Sequence, residues 1–222
     1  MPLDQFAIEK LSPELQEAHR RIASVGCQFE VIARDTVQAL VPELQSVSEE
    51  WLRYKRTSGR GFFGTGMHVD YLGRFPVGVV RSRGRILAFA SLVGSAGRAE
   101  LSIELVRHTA CAPAGILEFV LAEAIVWAKG QAYRNVNLGL APLQGLGRRD
   151  TISRWERFGA HLYRYGEHYS DFNELRRAKD RFAPRWDPRF VSSRPGLALA
   201  RAIPDLAKLV AGSSIPEAAR KT

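Results

Sequence analysis

The feature that most constrains this sequence is a run of three short apolar segments followed by one long apolar helix. The segments lie at residues 77–81, 85–93 and 100–106, contain many β-branched and aromatic residues, and are separated by turns that contain glycine. They predict an antiparallel meander. Residues 114–129 predict a helix whose apolar residues cover most of its surface, so we expect other elements to pack on more than one side of it.

Weaker patterns on either side of this region predict the remaining elements. Ser12 and Pro13 indicate a helix start, because serine caps helices and proline is favoured at the first helical position, and Gly26 indicates the end of that helix. Other helices are predicted at residues 35–52, 151–165, 175–182 and 199–210, and other strands at 29–32, 136–140 and 190–191. This order predicts an α/β fold, a mixed sheet flanked by helices, as in GNAT-type acyltransferases.

The charge of the chain favours a polyanionic partner without identifying one. Lys and Arg outnumber Asp and Glu by 32 to 23, which gives a formal net charge of +9. A basic surplus attracts nucleic acid or anionic lipid head groups. The same surplus is equally compatible with a basic protein that has no such partner, so the charge alone does not assign a binding site.

Cysteine and histidine usage gives no support for a disulfide framework or a metal centre. Cys27 and Cys111 are the only cysteines and lie far apart, which fits a reducing cytoplasm. The five histidines have no metal-ligand spacing. No secretory signal and no apolar stretch of about 18 residues is visible. We therefore expect no metal ion, no cofactor and no membrane-spanning segment.

Several motifs along the chain occur in the order typical of one protein family. They read EWLRYKR, GFFGTG, DYLGRFPVGVVRSRGRILAFASL, ELSIELVRH, GILEFVLAEAIVWAKGQAYRNVNLGLAPLQGL, LYRYGEHY and LRRAKDRFAPRWDPRF. Together they resemble the C-terminal domain of lysyl- and alanyl-phosphatidylglycerol synthases, the family that includes the multiple peptide resistance factor. The resemblance extends from about Phe29 to about Val210.

This resemblance implies both a fold and an activity. It implies a GNAT-like domain that transfers lysine or alanine from aminoacyl-tRNA to a glycerol hydroxyl of phosphatidylglycerol, on the cytoplasmic side of the cell membrane. In the family, a membrane domain and a first GNAT-like half often precede this part. We accordingly expect an N-terminal helix in residues 1–26 that ends an inter-domain connector, a GNAT-like domain in residues 27–211, and a flexible tail in residues 212–222.

The resemblance also implies a set of catalytic residues. Glu104 and Arg107 match an acidic residue, often Asp in the family, and an arginine that line the substrate site. We expect Glu104 to bind the ammonium group of the amino acid or to transfer a proton, and Arg107 to bind an oxyanion or a phosphate. We expect folding to survive replacement of either residue, because such positions are rarely part of the core. Alternatively, the two residues form a surface ion pair at a strand end.

Two further groups of residues match family motifs. Lys179 and Asp187 are expected to be catalytic, and Arg181 to bind a phosphate of the tRNA end or of the lipid. The family often has Lys in place of Arg181 and Glu in place of Asp187. Asn137 and Gly139 are expected to bind substrate. The alternatives are a solvated basic helix for the first group and a tight turn after a strand for the second.

A basic, glycine-rich segment at residues 53–70 contains the candidate phosphate contacts Arg53, Lys55 and Arg56, with aromatic residues nearby. Phosphate contact combined with aromatic stacking is how proteins commonly bind single-stranded acceptor ends. Arg81, in the turn between the first two meander strands, is a similar candidate. A solvated basic surface explains the same pattern equally well.

Three other functions are compatible with this sequence. An acyl-CoA-dependent N-acyltransferase would share the fold, although RHTACAPAGI has fewer glycines than the pyrophosphate-binding turn of such enzymes. A non-catalytic tRNA- or membrane-binding half of a larger synthase is the second possibility. The third is a related transferase that uses a different lipid as acceptor.

Overall fold

The computed structural model describes residues 1–54, 69–140 and 176–189, together with Ala198. In these residues the structure contains four complete α-helices, five strands and a further helical segment at residues 176–180. The helices are α1 (Pro13–Ser24), α2 (Arg34–Tyr54), α3 (Val69–Leu72) and α4 (Ile116–Gly130). The strands are β1 (Gln28–Ile32), β2 (Val77–Ser82), β3 (Arg85–Gly94), β4 (Glu100–His108) and β5 (Asn135–Asn137).

The strands form one mixed sheet in the order β1-β2-β3-β4-β5. The first four strands are antiparallel to their neighbours, whereas β5 runs parallel to β4. A parallel pair requires a crossover connection, and α4 provides it. The predicted meander and the predicted mixed sheet flanked by helices are therefore confirmed.

Helix α1 begins and ends where its sequence pattern predicts. The Ser12 hydroxyl accepts a hydrogen bond from the backbone N–H of Leu15 at 3.4 Å, and Pro13 occupies the first helical position. Gly26 has a positive φ of 81°, which glycine adopts at little cost, and the chain leaves the helix there. Helix α4 begins two residues later than predicted, because Gly115 at its start has a φ of 91° and is not helical.

Both faces of the sheet are covered by helices. On one face, α1 and α4 enclose the larger hydrophobic core with β3 and β4, through buried residues such as Ile22, Leu92 and Ile125. On the other face, α2 packs against β2 and β3 in a smaller core that contains Leu44, Val77 and Phe89. A sheet buried on both sides needs apolar residues on both of its faces, which explains the continuous apolar stretch in β3.

Arg81 links the sheet to α2. Its Nε donates to Glu30 of β1 at 2.6 Å, and its Nη1 donates to Glu43 of α2 at 3.1 Å. Glu43 also accepts a hydrogen bond from the backbone N–H of Ile86 at 3.0 Å. Both carboxylates thus bind the guanidinium group, so Arg81 has a structural role in place of the phosphate contact that its sequence position suggested.

Several predicted elements lie outside the described residues. These are the helices at 151–165 and 199–210, the strand at 190–191 and the tail at 212–222. Residues 176–180 are helical, in agreement with the helix predicted at 175–182. Within the parts of the chain that the structure describes, no helix is long and apolar enough to span a membrane.

We predict that Glu43→Ala lowers the free energy of unfolding by about 1–2 kcal/mol, because the buried N–H of Ile86 loses its acceptor and Arg81 loses one of its two carboxylates. Glu49→Ala is the matched control, since Glu49 is an exposed glutamate on the same helix. Urea denaturation of the two variants tests the difference. Equal stability of the two variants would contradict the assigned role of Glu43.

Candidate functional site

The site begins at an irregularity in β4. Ser91 of β3 pairs with Glu104, and Phe89 pairs with Arg107, so the one residue between them in β3 lies opposite two residues of β4. Leu105 has a φ of 46°, a left-handed conformation that is uncommon outside glycine, and it forms part of this β-bulge. Residues three apart in a regular strand point to opposite faces. The one extra residue places Glu104 and Arg107 on the same face, the face that α2 covers.

Arg107 is buried beneath the end of α2. Its exposed fraction is only 2%, and its guanidinium carbon lies 4.6 Å from the centre of the Trp51 ring. Stacking of arginine on an indole is favourable and fixes the plane of the guanidinium group. Burial lowers the pKa of Arg107 to about 10, so the side chain is still a cation at neutral pH. The alternative of a surface ion pair, and the expectation that Arg107 is not a core residue, are therefore wrong.

Polar contacts hold the end of α2 over the end of β4. Glu50 accepts a hydrogen bond from the backbone N–H of Ala110 at 2.8 Å. The rings of Tyr54 and His108 meet edge to face, with their centres 6.2 Å apart. Arg53 is exposed at this helix end, and its Nε donates to the carbonyl oxygen of Glu49 at 3.4 Å. Lys55 and Arg56 lie outside the described residues.

A second part of the site lies where β4 and β5 stop pairing. Their ladder ends at Ser102 and Asn137, earlier than the predicted strand end at Leu140. The Asn137 side chain accepts a hydrogen bond from the backbone N–H of Gly139 at 2.8 Å and donates to Glu100 at 3.1 Å. Gly139 has a φ of 82°. Asn137 and Gly139 therefore form a tight turn at the end of β5, and their binding of substrate stays a prediction.

Lys179 reaches this turn from the helical residues 176–180. Its exposed fraction is 5%, and its Nζ donates to the carbonyl oxygen of Leu140 at 3.3 Å. A Cβ atom at Gly139 would lie 3.4 Å from this Nζ, so glycine leaves room for the ammonium group. Burial and, to a smaller extent, the charge of Arg176 lower the pKa of Lys179 to about 8. Lys179 is thus a buried amine that titrates close to physiological pH.

The other two candidate residues of this segment have partners at the surface. The Arg181 Nη1 donates to Glu118, in the first turn of α4, at 2.8 Å, and the Arg181 side chain is 55% exposed. Asp187 accepts hydrogen bonds from Arg185 and is also exposed. An ion pair of this exposure contributes little to stability. Both residues accordingly lie at the periphery of the site.

The structure thus brings the predicted residues into two neighbouring groups. Glu104 and Arg107 lie on the α2 face of β4, while Asn137, Gly139 and Lys179 lie where β5 leaves the sheet. A Cβ atom at Gly139 would lie 3.9 Å from the carbonyl oxygen of Ile103, the residue before Glu104, so the two groups adjoin along β4.

Two residues near these groups escaped prediction from the sequence. Trp51 stacks on Arg107, and its helical spacing from Leu44 and Val47 was a signal that it faces the sheet. Ser91 is buried directly opposite Glu104. Only the strand register identifies Ser91, and no pattern in the sequence points to it.

Sequence comparison relates most of the chain to one family. The family model described as "Phosphatidylglycerol lysyltransferase, C-terminal" matches residues 10–192. The phosphatidylglycerol lysyltransferase of Bacillus subtilis is 30% identical over 164 residues, which are 72% of this chain and 19% of that protein. The enzyme of the same name from Staphylococcus epidermidis is 29% identical over 171 residues, 75% of this chain and 20% of that protein. The chain therefore spans about a fifth of the length of these curated relatives.

Solved structures with the same fold support this relationship. One is the C-terminal domain of a protein from Agrobacterium fabrum described as a lysylphosphatidylglycerol synthetase, with a TM-score of 0.78 and 32% identity over 96% of this chain and 64% of that one. Another is L-PGS from Bacillus licheniformis, with a TM-score of 0.73 and 28% identity over 95% of this chain and 63% of that one. These likenesses confirm the expected GNAT-like fold. The chain belongs to the family of phosphatidylglycerol lysyltransferase C-terminal domains.

Proposed function

We propose that this chain transfers a lysyl group from lysyl-tRNA to a glycerol hydroxyl of phosphatidylglycerol, or forms the part of a larger synthase that does so. The observation that carries the proposal is the bulge in β4, which places Glu104 and Arg107 on one face of the sheet. A carboxylate and a buried guanidinium group in this arrangement suit a substrate that has an ammonium group beside an ester carbonyl. An alanyl group has the same two features and is the second candidate donor.

The reaction exchanges one ester for another. The glycerol oxygen attacks the carbonyl carbon of the aminoacyl ester, the bond to the ribose oxygen breaks, and the ribose hydroxyl leaves with a proton. The change in bonding is nearly symmetrical, so no nucleotide hydrolysis and no cofactor is needed for this step. The protein has to position both substrates, stabilise the oxyanion that develops on the carbonyl, and accept the proton of the attacking hydroxyl.

The described residues match these three requirements. Glu104 binds the ammonium group, and Arg107 stabilises the oxyanion, because it stays charged and its plane is fixed by Trp51. Lys179 accepts the proton of the attacking hydroxyl and returns it to the departing ribose oxygen, since an amine with a pKa of about 8 is a suitable base near neutral pH. Arg181 and Asp187 bind the outer parts of the substrates from the edge of the site.

The start of α4 argues against an acyl-CoA-dependent activity. Enzymes of that kind bind a pyrophosphate at a helix start through backbone N–H groups. Here Pro113 removes one such N–H, and the carboxylate of Glu118 lies in the first turn, paired with Arg181. The helix start thus offers one backbone donor fewer to a pyrophosphate, and the Arg181 cation there is already paired with a carboxylate, which makes the tRNA-dependent reaction the better supported proposal.

The partners follow from the same proposal. Aminoacyl-tRNA and phosphatidylglycerol are both anionic, and the formal charge of +9 attracts both. The match covers only about a fifth of the length of the curated relatives, so a preceding GNAT-like half and a membrane domain belong to the proposed complete enzyme. We place the reaction at the inner face of the cell membrane, where both substrates are available.

A label-transfer assay tests this function. The protein is mixed with phosphatidylglycerol vesicles and a panel of tRNAs charged with labelled amino acids, and the lipids are analysed by mass spectrometry. We expect lysyl- or alanyl-phosphatidylglycerol as the product. Binding of tRNA and vesicles without transfer, even when the first half of a relative is added, would support a non-catalytic module. Saturable binding of acetyl-CoA would instead revive the acyl-CoA alternative.

We predict that Glu104→Ala and Arg107→Lys each lower kcat/KM for transfer by at least about 100-fold, the scale expected for loss of one positioned charged group. Lysine is used at position 107 because the buried guanidinium group packs on Trp51, and a full truncation would also affect folding. Glu49→Ala serves as the control. Normal rates in both folded variants would contradict the site assignment.

We predict that kcat/KM rises with pH and levels off above about pH 8, because the neutral form of Lys179 is the base and its pKa is about 8. Lys179→Arg is expected to lower the rate at least about 100-fold and to abolish its increase with pH, since arginine stays protonated. Lys10→Arg, at an exposed position, is the control. A rate that falls as pH increases through 8 would show that the protonated amine is the active form.

We predict that tRNA binding weakens steeply with salt and that Arg53→Gln makes the dependence shallower. Each lost phosphate contact should reduce the log–log slope by about 0.7, the value for single strands. Arg20→Gln is the matched control, because Arg20 is an exposed arginine on α1. Filter-binding titrations at several salt concentrations measure the slopes. An affinity that does not change with salt would remove the electrostatic argument.

A further inference from the structure

Ser91 has an unusual position for a hydroxyl group. Its exposed fraction is 2%, and among the described residues its Oγ has no hydrogen-bond partner. A buried polar group without a partner is destabilising, because it has lost its hydrogen bonds to water and has gained none in return. Such groups are rare in native proteins, and one that adjoins a proposed catalytic carboxylate suggests a role outside folding.

The strand register limits what this hydroxyl can bind. Ser91 lies in β3 between Val77 of β2 and Glu104 of β4, and all three point to the α2 face of the sheet. Val77 is fully buried and apolar, so it offers no acceptor. Side chains directly opposite each other in antiparallel strands have Cβ atoms about 5 Å apart, which is within reach of a serine hydroxyl and a glutamate carboxylate.

Glu104 is exposed, and Arg107 lies next to it on the same face of the sheet. The guanidinium charge attracts the carboxylate inward, and the Ser91 hydroxyl is the donor that an inward carboxylate would meet. We propose that Ser91 is a positioning residue, which donates a hydrogen bond to Glu104 when that carboxylate turns inward to bind the α-ammonium group of the aminoacyl substrate. This inference rests on the proposed function and deepens it.

The spacing along the strands favours the α-ammonium group over the ε-ammonium group of lysine. Glu104 pairs with Ser91 of β3, and Arg107 pairs with Phe89. Ser91 and Phe89 are two residues apart, so the two charged residues are about 7 Å apart along the strand direction. An α-nitrogen and its ester carbonyl oxygen are about 3 Å apart, and two hydrogen bonds of about 3 Å extend that distance to about 9 Å. The ε-nitrogen lies several bonds farther from the carbonyl and fits this spacing less well.

The test compares donor analogues on Ser91→Ala and on a matched control. Ser102→Ala is the control, because Ser102 lies two residues before Glu104 on the same face of β4. The probes are three stable amides of 3′-amino-3′-deoxyadenosine: lysyl, 6-aminohexanoyl, which lacks the α-amine, and norleucyl, which lacks the ε-amine. Calorimetry gives the dissociation constants, and thermal unfolding reports on stability.

We expect the wild-type chain to bind the lysyl amide about 10- to 100-fold more tightly than the 6-aminohexanoyl amide, the range expected for a hydrogen bond to a charged group. Ser91→Ala should reduce this preference at least fivefold, whereas Ser102→Ala should retain it. The melting temperature of Ser91→Ala should equal or exceed that of the wild type, because the substitution removes an unpaired buried hydroxyl. A serine with a purely structural role would show a lower melting temperature and an unchanged preference.

If Ser91→Ala fails to fold, Ser91→Cys serves as a nearly isosteric second variant whose thiol is only a weak hydrogen-bond donor. It should also reduce the preference for the lysyl amide over the 6-aminohexanoyl amide. An unchanged preference in these variants would overturn the inference. So would a wild-type chain that discriminates only against the norleucyl amide. Transfer by the wild type, assayed in parallel, separates the two proposals. If the wild type transfers an amino acid but the Ser91 variants keep the binding preference, only the role of Ser91 is overturned. If the wild type transfers nothing from any charged tRNA, the proposed function is overturned.

Discussion

The pairing of β3 with β4 determines which chemical groups meet in this protein. Without the extra residue at the bulge, Arg107 would point toward α4 and Glu104 toward α2, and no shared site would exist. The left-handed conformation of Leu105 costs on the order of 1–2 kcal/mol. Leu105 packs against the smaller core under α2, and this contact helps to offset the cost. Apolar packing thus stabilises the bulge, and the bulge in turn places two charged side chains on one face of the sheet.

Covering the sheet on both faces imposes a second constraint. Arg107 points to the α2 face, so the end of α2 has to supply a surface on which a guanidinium group can be buried. The indole of Trp51 supplies it, and Glu50 fixes the helix end by binding the backbone N–H of Ala110. Near the middle of α2, Glu43 binds Arg81 and ties the helix to the sheet. The contacts that stabilise the fold therefore also orient the site.

Much of the fold was predictable because it depends on local patterns. The cap at Ser12 and the turn residue Gly26 mark α1 in the sequence, and the apolar surface of 114–129 identifies the crossover helix. Glu104 and Arg107 became candidate site residues only through the family motif. They share a face of the sheet because of a register shift, which the alternation of apolar and polar residues in β4 does not reveal. The burial of Arg107 depends on where α2 ends. The position of Ser91 opposite Glu104 depends on cross-strand pairing alone, which a single sequence does not reveal.

Burial has different consequences for the two cationic side chains of the site. Desolvation lowers the pKa of Arg107 to about 10, which leaves a permanent charge at neutral pH, as the stabilisation of an oxyanion requires. The same effect lowers the pKa of Lys179 to about 8, so that about one molecule in ten has a neutral amine at pH 7. Gly139 allows this amine to approach the backbone where β5 leaves the sheet. One physical effect, acting on side chains with different intrinsic pKa values, thus leaves Arg107 a fixed cation and brings the pKa of Lys179 close to physiological pH.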